Sequence, residues 1–418
     1  MPITDIGQIL KDYIDQALPL AIADYFAANP GNSTPPPTTP APPSWNSQSG
    51  SGWAAQQAAL QYSASKFTLK SIGSMTCTPI TLAGLPPGDN KYSSAASLPG
   101  RRFVLGPHTT ANTVMSISRV FDADTFIGID GAEHGDGPSR TNGIRVFENL
   151  DVFPVPSMTT TGKTLHLGTN SAASTFPGIA PSGSAYLGSF LMPDGISIGL
   201  VPHNASYIRI VNTITGAYRD ITSVNFGGNA ALAGGVLTKT AEILLIPHNY
   251  DKWMAFNPVT ETFRFIGNAP GGEAYCGGVT MDHGPVYAAA HKAACSAVID
   301  VEAGTITNTL PPDGSDFVAP IAGQANFRLC LRLMNGWVLL INFKHTRAWL
   351  FNPATNRHIQ LPFVFAFGAV ACAVMLPNGD PLLVPWNGTQ AYRLSLMTAT
   401  PGYITPEILY CGPMHNGF

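Results

Sequence analysis

A phrase that returns about every 45 residues, tight-turn signals at a fixed place within it, and short apolar runs between them predict an all-β chain of repeated four-stranded units. The phrase is clearest in Gly199-Leu-Val-Pro-His-Asn-Ala-Ser-Tyr-Ile-Arg-Ile-Val-Asn-Thr-Ile-Thr-Gly216 and Leu244-Leu-Ile-Pro-His-Asn-Tyr-Asp-Lys-Trp-Met-Ala-Phe-Asn-Pro-Val-Thr-Glu261. Pro202 to Pro247 is 45 residues, and so is Asn212 to Asn257. Looser copies carry His291, His345 and the Pro385-Trp386-Asn387 turn, and Pro107-His108 is a further copy upstream. Five of the ten histidines thus share one place in the phrase. Several short strands at this period form a β-propeller: about seven four-stranded blades by the count of these turns, six being the alternative.

Within one unit each strand can be placed. Gly234-Gly-Val-Leu-Thr reads as the inner strand, Glu242–Pro247 as the second, Lys252–Phe256 as the third and Thr262–Ile266 as the fourth. Each is a short run of β-branched, aromatic and aliphatic residues ended by Gly, Pro or Asn. Pro193-Asp-Gly195, Asp282-His-Gly284, Met334-Asn-Gly336 and Pro377-Asn-Gly379 fall between the first two strands. Asn and Gly tolerate the positive φ of primed hairpin turns, which are expected there. Asn-Pro-x-Thr at 257 and 352 predicts a second hairpin, with Pro pre-setting φ. The long step past Asp282 places an insertion around Pro311-Pro-Asp-Gly314, and 125–190 is the poorest match to the repeat. A lone blade cannot bury both faces, so the ring must close. Residues 67–82 and 403–411 are the expected closing partners.

The front of the chain is different. Ile6, Leu10, Tyr13, Ile14, Ala17, Leu18, Ala21 and Tyr25 recur at three- and four-residue spacing behind a Thr4 or Asp5 cap, which predicts an amphipathic helix stopped at Asn29-Pro-Gly31. Ser33-Thr-Pro-Pro-Pro-Thr-Thr-Pro-Ala-Pro-Pro43 follows, a semi-rigid polyproline spacer. Residues 1–30 are therefore expected to be an anchoring or oligomerisation helix, 31–66 a linker, and 67–418 the propeller. With no globular body of its own, the helix needs a copy of itself or a partner to cover its stripe. A basic n-region is missing and Asp5, Lys11, Asp12, Asp15 and Asp24 interrupt the apolar positions, so a signal peptide is not expected. Nor does any run reach the ~18 apolar residues of a membrane span.

Only 11% of the residues are charged and the net charge is −3, which gives no electrostatic footprint for nucleic acid. The six cysteines lack zinc or redox spacing. Cys276, Cys330 and Cys372 sit by apolar runs and are expected to be free, buried thiols. Propeller connectivity puts His108, His203, His248, His291 and His345 on one face, with Asn204, Asn249, Trp386 and Asn387 alongside. Such residues suit sugar hydroxyls and apolar sugar faces. Against that stands a simpler use: a residue present in every unit serves the unit, each imidazole tying a loop to the next blade. Asp130, Glu133 and Asp136, in the acidic stretch 129–138, are a weak candidate Ca²⁺ set without EF-hand spacing, and a solvated Gly-rich loop is the simpler reading. No nucleophile elbow is present, and neither a cofactor nor catalytic chemistry is expected.

The repeated phrase, with its Pro-Asp-Gly or Pro-Asn-Gly hairpin, resembles the Kelch/WD40-type propeller repeats of virus and bacteriophage structural proteins. The likeness covers 190–400 well and 100–190 loosely. The Gly-Gly pairs at 227–228, 234–235 and 277–278 are similar to the Kelch double glycine, whereas the paired Tyr and Trp of Kelch repeats do not recur. The resemblance implies a non-enzymatic virion spike, fibre or tail component, made in the host cytoplasm. Its expected partners are other virion proteins through the helix and a host glycan or protein through the propeller. A homo-oligomer, no nucleic acid and no transmembrane segment complete that expectation. A scaffold propeller bridging protein partners and a glycan-active propeller enzyme are the alternatives.

Overall fold

Seven four-stranded antiparallel sheets, joined first strand to first strand in a closed ring, make up the computed structural model of the chain. It describes residues 67–83, 92–98, 101–107, 117–133, 141–146, 151–156, 160–166, 171–281, 284–309, 327–342, 347–365, 370–385 and 390–399. The predicted helix, from Ile6 to Tyr25, and the linker lie outside them. Blade 1 comprises Tyr92–Leu98, Arg102–Pro107, Ile117–Asp122 and Gly128–Glu133; blade 2 comprises Thr141–Val146, Asp151–Pro156, Gly162–His166 and Ser171–Phe176. Blade 3 runs through Tyr186–Leu191, Ser197–Pro202, Ile208–Asn212 and Tyr218–Ile221, and blade 4 through Leu232–Leu237, Ile243–Pro247, Lys252–Asn257 and Thr262–Asn268. Blade 5 is Tyr275–Thr280, Val286–Ala290, Ala297–Asp300 and Thr305–Asn308; blade 6 is Phe327–Arg332, Val338–Asn342, Trp349–Asn352 and Arg357–Gln360. Blade 7 takes Val370–Met375, Pro381–Pro385 and Gln390–Ser395 from the end of the chain and Thr76–Thr81 from its front.

That last pairing closes the ring, and it corrects the expected one. Thr76–Thr81 lies antiparallel to Gln390–Ser395 in unbroken register, from Thr76↔Ser395 to Thr81↔Gln390. The 403–411 segment lies outside the described residues. Blade 7 already holds three C-terminal strands and lacks only its outermost one, which the front of the chain provides. The seam is reinforced where Ser97 Oγ of blade 1 donates to the Met375 carbonyl of blade 7 at 2.9 Å.

The turns depart from expectation in one respect. At 376–380 the Gly379 N–H donates to Leu376 O while Leu376 N–H donates to Asp380 O, and the same pattern recurs at 333–337. Gly336 and Gly379 have φ of 82° and 83°, and no other residue in either turn has positive φ. These are three-residue loops with one left-handed residue, not primed turns. The Asn-x-x-Thr phrase has a direct cause. Asn212 Oδ1 accepts from the N–H groups of Ile214 and Thr215, and Asn257 Oδ1 accepts from Val259 and Thr260. The side chain at the end of the third strand thereby builds the next turn.

Aromatic side chains fill the blade interfaces. Phe190 of blade 3 meets Phe256 of blade 4, Trp253 of blade 4 meets Tyr275 of blade 5, and Tyr287 of blade 5 meets Phe351 of blade 6, with ring centroids 4.6–5.5 Å apart. Each ring is almost wholly buried, contributing about 2–3 kcal/mol of transfer free energy. Two polar bolts run between the rings. Tyr287 Oη and His358 Nε2 are 2.9 Å apart across blades 5 and 6. The Arg209 guanidinium forks onto Asp220 at 2.6 and 2.8 Å and also donates to the carbonyls of Gly178 and Ile179, tying blade 3 to the link from blade 2.

Gly234, of the pair 234–235, has a steric reason. Gly188 and Gly234 sit at the bulges of neighbouring inner strands with φ of 77° and 107°. A Cβ on Gly188 would stand 3.0 Å from the Gly234 Cα. Gly199 in blade 3 is equally constrained, because a Cβ there would lie 2.0 Å from the buried Phe190 ring.

Two outcomes follow for stability. Gly199→Ala should cost about 1–3 kcal/mol by overpacking, measured by urea unfolding against wild type. A chain starting at residue 82 should lose the cooperative thermal transition in circular dichroism, because blade 7 then lacks its outer strand. A chain starting at Phe67 should keep it.

Candidate ligand face of the propeller

The second-to-third-strand loops and the blade-to-blade links share one face, called here the loop face, and both sets of hairpin turns lie on the other, the turn face. His203, His248 and His291 each follow the second strand of blades 3, 4 and 5 and so stand on the loop face. Five of the predicted residues come together here: these three histidines with Asn204 and Asn249. His108, His345, Trp386 and Asn387 lie outside the described residues.

One backbone carbonyl organises each loop. Ala231 O accepts from the N–H groups of His248, Asn249 and Tyr250, while Ala231 N–H donates to His203 O of the preceding blade. Ala274 does the same between blades 4 and 5: its carbonyl accepts from His291, Lys292 and Ala293, and its N–H donates to His248 O. The result is a continuous hydrogen-bonded belt from Ala185 through His203, Ala231, His248 and Ala274 to His291. Asn204 Oδ1 accepts from Ala230 N–H and Asn249 Oδ1 from Glu273 N–H, so both asparagines hold the link into the next blade.

The imidazoles complete the belt. Nδ1 lies 3.0 Å from Leu232 O in His203, 2.8 Å from Tyr275 O in His248 and 3.0 Å from Phe327 O in His291. Each acceptor is the first residue of the next blade's inner strand. A carbonyl can only accept, so Nδ1 carries the proton and the lone pair sits on Nε2. Successive rings are 5.8 and 5.5 Å apart, centroid to centroid, and turn by 40° and 42°. On a sevenfold ring such chords put the imidazoles within about 6.5 Å of the axis, at the mouth of the central channel.

Burial depresses the proton affinity of this ladder. The His248 pKa is pushed down to about 4, first by desolvation and then by the neighbouring His291 and His203, against the Tyr275 bond that raises it. His203 is lowered by the same desolvation. Beside the ladder, Lys292 Nζ pairs with Glu273 Oε2 at 2.6 Å, and this ammonium holds the Glu273 carboxyl below its usual range. Glu273 also occupies a left-handed backbone position, φ 60°, where the two preceding links have Ser184 and Ala230. Sequence reasoning missed Glu273 and Lys292, which lie where the phrase is most degraded; the Lys in place of Asn after His291 was the available signal.

Other predicted sites fare differently. Asp130 and Glu133 belong to the outer strand of blade 1 rather than to a loop, and Asp136 lies outside the described residues. The described cysteines, Cys77, Cys276, Cys295, Cys330 and Cys372, are all free, and burial pushes the Cys77 thiol up to about 11.

Comparisons with solved structures agree on the fold. A streptogramin B lyase superposes with a TM-score of 0.62 at 10% identity, covering 78% of this chain and 99% of that one. An inactive variant of virginiamycin B lyase from Staphylococcus aureus, with quinupristin, gives 0.61 at 9% identity over 77% and all of the two chains. The WD40 β-propeller domain of Doa1 gives 0.54 at 9% identity over 76% and 97%. Neither a family model nor a curated protein sequence matches the chain. The likeness is one of fold: a seven-bladed propeller.

Acid should weaken the ladder. The folded state keeps His248 neutral down to about pH 4, whereas the unfolded chain takes up its proton near 6.5, so the stabilisation is complete above pH 6.5 and is lost as the pH falls toward 4. The loss attributable to His248 is at most about 3 kcal/mol. Urea unfolding of wild type and His248→Asn between pH 7 and pH 4 should show the smaller acid loss in the variant, whose amide can still donate to Tyr275 O but does not titrate.

Proposed function

We propose that this chain is a non-enzymatic display protein of a virion, of the spike, fibre or tail kind. A rigid propeller head contacts a host surface or a neighbouring virion protein, and the segment before residue 67 assembles or anchors it. The observation that carries this reading is where the two ends of the described chain meet. Phe67–Leu69 pairs with Met397–Ala399 in a two-stranded ribbon beside blade 7. Phe67 packs over the first-to-second turns of blades 6 and 7, its ring within contact of the Gly379 position, where Met334 also lies. Both ends therefore reach the turn face, and the loop face with its histidine ladder points the other way. Ile72, Ile196, Ile214 and Val259 are exposed on or beside that turn face, which suits it to an assembly rather than to open solvent.

All seven blades are complete within residues 76–395, so residues 1–66 are available for a stem. The chain made in the host cytoplasm would then act on the particle surface, with its loop face outward. Size-exclusion chromatography with light scattering should find the full chain as a discrete oligomer and the chain starting at Phe67 as a monomer. The fluorescently labelled head should also bind host cells or purified virion proteins. A monomeric full chain together with no surface binding would sink the proposal.

A further inference from the structure

The ladder that locks the blades also leaves chemistry unspent, and this inference rests on the display reading above. Nδ1 of His203 and His248 is committed to a carbonyl one blade on. Among the described residues nothing bonds Nε2 of either ring, although His248 is only 9% exposed. In each ring Nε2 lies on the edge away from the Nδ1 that meets that carbonyl, and the spacing of the rings places them near the axis. His291 makes the same Nδ1 contact, so three imidazoles follow one another on an arc with 5.5–5.8 Å between centroids.

Such an arc has a definite preference. A neutral imidazole protonated on Nδ1 presents a lone pair at Nε2 and takes a hydrogen-bond donor. An anionic phosphate or sulfate would meet those lone pairs and gain nothing from them. Among the described residues, the full charges beside the ladder, Glu273 and Lys292, are paired with each other. Convergence on one metal is ruled out by the arc itself: His203 and His291 stand two steps apart, about 10 Å on a sevenfold ring, well beyond the ~2 Å ligand distances of a zinc site. What remains is a neutral ligand rich in hydroxyl donors spaced several ångströms apart.

We infer that the channel mouth on the loop face is a binding site for neutral saccharides, with Nε2 of His203 and His248 as the hydroxyl acceptors. Hydroxyls donate to Nε2, and Asn249, whose Nδ2 and Oδ1 are engaged by Asn229 O and Glu273 N–H, fixes the rim. The ladder then has two uses in one residue: one nitrogen holds the blades together and the other reads the ligand.

The test separates these uses by substitution. Asparagine places an amide donor near the position of Nδ1 but has no counterpart of Nε2. The full chain, His203→Asn and His248→Asn are compared by saturation-transfer NMR with glucose, galactose and mannose disaccharides, with sialyllactose as an anionic probe and spermidine as a cationic one. Binding of at least one neutral disaccharide by wild type, reduced tenfold or more in either variant while the melting temperature stays within a few degrees, is the expected result. Equal binding by wild type and both variants, selective binding of sialyllactose or spermidine, or no saccharide binding would each overturn the inference. Nitrogen spectra of ¹⁵N-histidine protein, showing protonated Nε2 in place of protonated Nδ1, would overturn it as well. Binding of the head to host cells that both asparagine variants retain in full would remove the saccharide site and leave the display reading standing.

Discussion

The carbonyl of Ala231, accepting three N–H groups from the loop of its own blade while its N–H donates to the blade before, is the interaction on which the rest depends. A four-stranded blade presents two broad faces and can cover neither by itself. Neighbouring blades cover them with aromatic rings, but apolar packing alone does not fix how one blade sits on the next. The belt through Ala185, His203, Ala231, His248 and Ala274 sets that geometry with hydrogen bonds at both ends of each link. Ala185, Ala231 and Ala274 are all buried at this position. The imidazole then adds a side-chain bond from each loop to the inner strand beyond it.

This arrangement ties stability to the features that would serve recognition. Burial disfavours the charged form of His203 and His248, a fixed carbonyl orients each ring, and the blade repeat spaces them. A binding surface made this way needs little reordering when a ligand arrives, which is the general advantage of preorganisation. It also means that most substitutions at these positions disturb the frame and the face together, and only replacements that preserve the Nδ1 donor can tell the two roles apart. The ends of the chain are kept clear of this face by the ribbon of Phe67–Leu69 and Met397–Ala399 on the far side.

Much of the frame was legible in the sequence because each blade repeats the same local chemistry. The strands of blade 4 fall where Gly234-Gly, Glu242–Pro247, Lys252–Phe256 and Thr262–Ile266 placed them, and Asn212 and Asn257 build the turns their phrase implied. Even blade 2 carried a signal: Pro156 ends its second strand as Pro107, Pro202, Pro247 and Pro385 do theirs, though no histidine follows it. What the sequence hid is non-local. The choice of Gln390–Ser395 as closing partner depends on counting strands in three dimensions, since blade 7 already holds three C-terminal strands and is short of one. The single left-handed residue in the first hairpins of blades 6 and 7 depends on how the two strands are registered. The pairing of Glu273 with Lys292 joins residues on two loops that only the belt brings together. The histidines were visible as a pattern, but that Nδ1 is the nitrogen held by the next blade could not be read from their spacing.

Amide hydrogen exchange under native conditions tests the belt most directly. If it holds the ring together, the N–H groups of Ala231, His248, Ala274 and His291 exchange only through global unfolding, with protection equal to the slowest inner-strand amides and the same dependence on denaturant. Exchange of these four amides through local opening, faster than the inner strands and independent of denaturant, would mean that the blades are held by their apolar interfaces and that the belt merely decorates them.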